Sequence, residues 1–359
     1  MKKYFDWYNL LFVVMIGMNI YVIFRALNSD LPLGDEPISA VVEIGKAMQQ
    51  LSLKDFFISL ISSFRWEDHL WPVMYLYGFF LSLVTHDSYL AVKIASKIVY
   101  LLIIGGTVYL SYEFWKSKSR ALFVFLLISL NFSQYWWYGI VGTIFPPANI
   151  LTLTSLLFIK KYIDTSQNRF FVFFCLSFIL MIFSGEVVFV TLPLFMVFVL
   201  LYTIDYKKEY LIKKIIKISY IGLTMLLALA SYLFIHHYLI GRLLPGPRTT
   251  GELNLDIVNI LLNATFPFNL TFPLVIFDST VFELFDKFNS KFLFNFISTE
   301  YLIIICLFLS LFGIYKNILF SKVGYILYIG MIFQGIFIGI TNRFQPELWI
   351  LPQAVGVMV

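Results

Sequence analysis

The sequence predicts an all-α fold, a polytopic transmembrane helical bundle, on three observations. Of the 359 residues 60% are hydrophobic and only 13% charged, at a mean hydropathy of +0.85, a balance that a soluble domain of this length does not hide in one core. Apolar runs long enough to cross roughly 30 Å of hydrocarbon recur from end to end, and without an alternating barrel pattern their backbone groups are satisfied in lipid only as helices. Lys and Arg fall in short clusters between those runs, the pattern that orients membrane helices, and many Tyr and Trp sit at the span ends.

The first span is expected at 8–26. Its start is basic and its middle apolar, but no A-x-A-like site follows, so an uncleaved span is expected rather than a signal peptide. A first outer loop covers 29–69. Within it, LKDFFISLISSF sets Phe56, Phe57, Leu60, Ile61 and Phe64 on one side of a helix and Lys54, Asp55, Ser59 and Ser63 on the other, so this helix is expected to lie in the interface plane. The stretch Pro37 to Leu51 is a weaker case of the same kind. Further spans are expected at 70–84, 89–111, 121–139, 144–159, 169–184, 187–203, 218–240, 300–316 and 323–341, with another starting at 348. That makes about 9–11 crossings in a single transmembrane domain over 1–359, with a second long outer loop at 241–299. The last run, TNRFQPELWILPQAVGVMV, has no polar exit, which suggests a truncated C-terminus or an incomplete span.

Placing the basic clusters on the cytoplasmic side orients the chain: Lys2-Lys3, Lys116 to Arg120, Lys160-Lys161, Lys207-Lys208 with Lys213, Lys214 and Lys217, and Lys316 with Lys322. Residues 27–69, 132–146, 185–186, 241–299 and 342–347 then lie outside. Two crossings between 70 and 111 would put Lys116 to Arg120 on the wrong side. Either 70–84 does not cross fully or this cluster breaks the rule, and the sequence leaves both readings open. The formal charge of +5 does not point to nucleic acid, because the cations follow span ends rather than one helix face. Cys175 and Cys306 both lie in apolar runs and imply neither a disulfide nor a metal framework.

The residues with chemistry cluster at the outer ends. In NSDLPLGDEPISAVVEIG the acids Asp30, Asp35, Glu36 and Glu43 gather just beyond the first span. Asp35 and Glu36 precede Pro37, where a carboxylate caps a helix start; held beside apolar helices, it also suits a general base that accepts a proton from an attacking hydroxyl. Next, FRWEDHLWPVMYLYGFFLSL places Arg65, Glu67, Asp68 and His69 directly before Trp71, Pro72 and an apolar run. Glu186, in MIFSGEVVFVTLP, is either an exposed turn residue or a costly acid within the membrane. Asn263 and Asn269 open N-x-T tripeptides, as chance allows in an Asn-rich loop. No P-loop, dinucleotide glycine pattern, His-Glu-x-x-His or Ser/His/Asp order is present, which removes ATP-driven transport by this chain alone and the usual metalloprotease chemistry.

A first span, an acidic pair just outside it, in-plane helices and a His/Pro-marked return to the membrane together resemble the GT-C superfamily of multi-span glycosyltransferases, in particular its protein mannosyltransferase and aminoarabinose-transferase branch. The resemblance covers residues 1–200 and, beyond them, hydropathy alone. Asp35, with Glu36 beside it, stands where that family's first-loop catalytic Asp is expected. DHLWPVMYLY stands where many members have a His-Pro-Pro-Leu-Tyr-like stretch, although here Leu70 and Trp71 separate His69 from Pro72. SQYWWYGIVGTIFPPAN looks like the outer turn after the fourth apolar run in such proteins.

The resemblance implies a polyprenyl-phosphate-linked sugar donor, an unidentified glycan, lipid or protein acceptor, inverting hexosyl or pentosyl transfer, and a site on the outer face of a membrane. The lipid phosphate leaves as a stable anion, so the site needs a base, supplied by Asp35, and cations for the phosphate. HHYLIGRLLPGPRTTGE offers His236, His237, Arg242 and Arg248 for that role; guanidinium is the best bidentate phosphate partner, against the alternative that such residues snorkel to headgroups. Arg65 and Arg343 are comparable candidates, with Asp68 and His69 at the same outer entrance. Carboxylates of this kind suit Mg²⁺ or Mn²⁺, though nothing in the spacing demands a metal. The competing expectations are a polysaccharide polymerase or ligase with a lipid-pyrophosphate donor bound around Arg242 and Arg248, a lipid or solute transporter, and an inactive GT-C-like subunit. Lys/Ile/Phe/Asn-rich usage suggests an AT-rich genome and a bacterial plasma membrane.

Overall fold

The computed structural model describes residues 7–27, 45–62, 70–85, 89–130, 146–205 and 210–241, with isolated positions between 257 and 336. Among these residues the regular structure is entirely helical: α1 (Trp7–Leu27), α2 (Leu53–Ser62), α3 (Pro72–Thr85), α4 (Tyr89–Trp115), α5 (Lys118–Leu130), α6 (Pro146–Thr165), α7 (Asn168–Ile182), a 3₁₀ helix (Glu186–Thr191), α8 (Leu192–Asp205) and α9 (Leu211–Ile240). The expected outer segments at 132–146 and 241–299, apart from Pro146, Gly241 and Ile257, and the spans at 300–316 and from 348 lie outside the described residues. Two helices are long and apolar enough to cross a membrane, α9 and the Lys97–Trp115 part of α4, with mean hydropathies of 2.0 and 1.4; shorter apolar helices run over Pro72–Val84, Asn168–Ile182 and Leu192–Ile204.

The α6–α7 hairpin forms the centre. Phe174 and Phe178 of α7 meet at a tilt with ring centroids 5.3 Å apart, Phe178 meets Phe195 of α8 edge-on at 5.5 Å, and Phe114 of α4 meets Phe198 of α8 at 5.6 Å. All five of these residues are buried. Across the hairpin the buried Ser155 hydroxyl donates to Ser177 Oγ at 2.9 Å, so two hydroxyls satisfy each other in an otherwise apolar layer. Outward-facing positions are apolar as well: Leu226 and Leu227 of α9 are 62% and 56% exposed and Phe234 is 71% exposed. Such continuous apolar surface is a liability in water and ordinary against lipid tails.

The basic clusters collect at one end of this bundle. α4 turns into α5 through Lys116 and Ser117, and α6 turns into α7 through Ser166 and Gln167; Lys116 (φ 51°) and Ser166 (φ 57°) take the left-handed conformation that closes a helix C-terminus. Lys217, near the start of α9, donates from Nζ to Ser166 Oγ at 2.6 Å and to the Ile163 carbonyl at 3.2 Å, while Lys214 donates to the Ile204 carbonyl at 2.6 Å. Lysines that the sequence offers as orientation markers thus also fill the open carbonyls of neighbouring helix ends.

α3 packs along the start of α4. Gly106 lies against Leu153 and Phe114 lies under Lys160, so α4 and α6 run parallel with a constant offset, and the start of α4 projects beyond Pro146 by about 15 Å of helix. The buried Leu81 of α3 packs on Ala95 within that projection, with Tyr77 beside it, while Val73 N–H donates to the Phe183 carbonyl at 3.2 Å. α3 therefore folds back along the start of α4, away from the basic end, and does not connect the two ends of the bundle. The Lys116 end of α4 falls at the same end as Lys160, Lys161, Lys214 and Lys217.

The described part of the first loop is strapped onto α3. Gly45 sits so close to Gly78 that a Cβ there would lie 2.4 Å from the Gly78 carbonyl carbon and oxygen, Gln49 donates to Ser82 Oγ at 2.7 Å, and the Phe56 ring meets Phe79 at 4.9 Å. α2 starts on a reciprocal cap, with Asp55 N–H donating to Ser52 Oγ at 3.2 Å and the Ser52 hydroxyl donating back to the Asp55 carboxylate at 2.6 Å. The expected apolar face of α2 is only half used. Phe56 and Leu60 turn toward the protein, but Phe57 is 58% exposed, because α3 covers a narrower stripe than the sequence pattern marks; Ile61 and Phe64 lie outside what is described. Gly45→Ala has no room beside a backbone neighbour, so it is expected to lower stability by about 1–3 kcal/mol and to raise protease cleavage within 45–62 before the rest of the chain opens, measured by limited proteolysis.

Candidate functional site

At the end of the bundle opposite the basic cluster, three segments carrying sequence candidates meet. The first is the start of α3. Pro72 occupies its first turn, where a missing N–H costs nothing, and Leu70 and Trp71 before it, both buried, continue directly from Arg65, Asp68 and His69. The second is the turn after α7. Ser184 N–H and Oγ both donate to the Met181 carbonyl, at 3.0 and 2.6 Å, tightening the chain. Gly185 then adopts φ 146°, ψ 161°, a conformation open essentially to glycine alone, and a Cβ there would sit 3.2 Å from Trp71 Cδ1 and Nε1. Glu186 follows at once as the first residue of the 3₁₀ helix, so its backbone is at this junction.

The third segment is the end of α9. Tyr232 is fully buried, and its hydroxyl donates to the Leu70 carbonyl at 3.2 Å, 162 residues away in sequence. Its ring is held edge-on by Phe189 at 5.1 Å and Phe183 at 5.5 Å, and stacks on His236 at 5.9 Å. His236 is fully buried and His237 exposed, which separates two residues the sequence offers as a pair. Neighbours in a helix point about 100° apart, so only His236 faces the junction. α9 ends at Gly241, which takes φ 80° and donates its N–H to the His237 carbonyl at 2.8 Å; Arg242 is the next residue.

The other candidates, Asp35, Glu36, Arg65, Asp68, His69, Arg242, Arg248 and Arg343, lie outside the described residues, as do the sequons at Asn263 and Asn269. Among the described residues no three His, Cys, Asp or Glu side chains gather as a metal site. What the junction does is positional. A hydrogen bond, a glycine-only turn and an aromatic stack fix the chain just after His69, just before Glu186 and just before Arg242. Sequence reading misses Tyr232 and Gly185. Tyr232 stands four residues before His236, which puts the two on one helix face, the only signal that could have found it; a single Gly before an acid gave none. Known protein families, curated proteins and solved structures contain no match to this chain.

Proposed function

We propose that the chain is an integral-membrane glycosyltransferase of GT-C type, with several crossings of a bacterial plasma membrane, its lysine-rich end cytoplasmic and its 70/185/236 junction on the outer face. The observation that carries this reading is the convergence, at the end of the bundle opposite Lys116, Lys160, Lys161 and Lys217, of the segments adjoining Arg65 to His69, Glu186 and Arg242. Between them these segments hold the acids, the imidazole and the guanidiniums that transfer from a lipid phosphate requires. In the proposed reaction an acceptor hydroxyl attacks the anomeric carbon of a polyprenyl-phosphate sugar. Its proton passes to the Asp35 carboxylate, the bond from the anomeric carbon to the phosphate oxygen breaks, and the polyprenyl phosphate leaves as an anion held by cations among Arg65, Arg242, Arg248 and His236. One displacement inverts the anomeric centre. Asp68, His69 and Glu36 are assigned to binding at this site, and His237, being exposed on another face, is assigned to the membrane surface.

Liposomes containing the purified chain, a labelled polyprenyl-phosphate sugar and a crude acceptor fraction test the reading. Transfer of label to acceptor, lost when the donor is pre-hydrolysed, is the expected result. Counterflow of the donor across the liposome without transfer would instead make the chain a transporter.

A further inference from the structure

The lysine-rich end holds a feature that glycosyl transfer at the opposite end does not use. Lys116 after α4, Lys160 and Lys161 on α6, and Arg169 on α7 line a cup of about 320 Å³ together with Glu113 and Asp164, four cations against two carboxylates. Both carboxylates are already engaged: Glu113 holds Lys116 at 2.6 Å, and Asp164 accepts from Lys160 at 2.5 Å and from the Tyr202 hydroxyl at 2.7 Å. The hydrogen bond to Glu113 also holds the Lys116 ammonium above the ordinary lysine range, so it stays charged. Lys161 adds to the positive field at the Glu113 carboxylate, but among the described residues neither Lys161 nor Arg169 is in a direct ion pair with a carboxylate. They flank the Phe170 ring at 5.9 and 4.8 Å, with Gln167 accepting from Arg169 Nε at 2.8 Å.

Beside the cup runs an apolar groove of about 610 Å³ between α1, α4 and α5, with Phe12, Ile16, Leu101, Gly105 and Phe125 along it. Tyr109 and Tyr112 line the groove, and the same two rings carry the cup's cations, Lys161 at 5.8 Å from Tyr109 and Lys116 at 5.6 Å from Tyr112. The two hollows therefore share a wall. A cationic pocket that continues into an apolar slot at helix ends has the shape and charge of one molecule type, an acidic headgroup on a hydrocarbon tail. The slot suits a single fatty-acyl chain and falls well short of a polyprenyl chain of many isoprene units.

We infer that this end of the bundle binds an anionic diacyl phospholipid, its phosphate against Lys161 and Arg169 and one acyl chain in the α1/α4/α5 groove. The site stands whether or not the opposite end transfers sugar. The test is native mass spectrometry of the full chain released from nanodiscs of mixed phosphatidylglycerol and phosphatidylcholine. The wild type is expected to keep phosphatidylglycerol in preference to phosphatidylcholine, and K161Q/R169Q to lose that preference by roughly thirtyfold, as two interfacial charges imply. Gly105→Leu is expected to weaken retention by filling the slot, since a Cβ at Gly105 meets nothing within 4 Å. Lys54→Gln, a charge change on α2, should leave retention unchanged. Thermal midpoints taken in phosphatidylcholine alone separate lost binding from lost folding, and K161Q/R169Q, which changes one part-buried and one exposed side chain, remains as the second variant if Gly105→Leu fails to fold. Equal retention of both lipids by the wild type, undiminished phosphatidylglycerol on K161Q/R169Q, displacement by inorganic phosphate, or stronger competition by farnesyl phosphate would each overturn the assignment.

Discussion

Asp35→Asn is expected to reduce sugar transfer from a polyprenyl-phosphate donor by about 10²–10⁴-fold, the usual worth of a positioned base, with yield and thermal midpoint unchanged. The pairing of these two readouts comes from the chemistry of the substitution. Asn matches Asp in size and caps a helix about as well, so if Asp35 serves only to open a helix at Pro37, neither transfer nor stability moves. Asn cannot take up a proton, so if Asp35 is the base, transfer falls alone. The same variant divides the proposal from its nearest rival. A polymerase or ligase acting on a lipid pyrophosphate around Arg242 and Arg248 keeps its rate in Asp35→Asn. In the GT-C reading, replacing those arginines by Gln acts mainly through donor KM, because a bound phosphate is held in the ground state as well as in the transition state.

Much of the architecture was legible because its cause is local. Long apolar runs bounded by Lys and by Tyr or Trp mark α1 almost to the residue at 8–26, and α6 and α9 at 144–159 and 218–240 except for an added turn or two at their basic ends. Pro146 was quoted as part of a turn and opens α6, as a residue without an N–H can. α3 was not legible. Its composition matches that of a crossing helix, and only its contacts with Ala95 and Phe183, both distant in sequence, show it turned back along α4. The Glu186–Thr191 segment was hidden for a related reason: its apolar residues continue smoothly into α8, and the close approach of Gly185 to the Trp71 ring just before it is a tertiary contact. Lys214 and Lys217 were read for charge alone, and their service to the carbonyls of other helices is a tertiary fact. Of the candidate site, the sequence marked segments that do adjoin one another; the side chain tying two of them together, Tyr232, looked like any aromatic residue in an apolar helix.

Tyr232→Ala is expected to lower stability by about 3–5 kcal/mol, the range for removing a fully buried aromatic ring, seen as a lower thermal midpoint in detergent. Size alone would predict as much for Phe178 or Phe195, so the informative variant is Tyr232→Phe. It keeps the ring that Phe183, Phe189 and His236 pack against and removes only the hydroxyl that reaches the Leu70 carbonyl, for an expected loss of about 1–3 kcal/mol. Its local effect should exceed its global one. Leu70 is where the chain bearing Arg65, Asp68 and His69 joins α3, so hydrogen exchange across 63–73 should quicken in Tyr232→Phe while exchange in the α6–α7 hairpin stays slow. Uniform acceleration over both regions would show that the hydroxyl supports the bundle as a whole. Acceleration confined to 63–73, together with weaker transfer, would tie the position of that segment to the junction and give Tyr232 a positioning role in the proposed reaction.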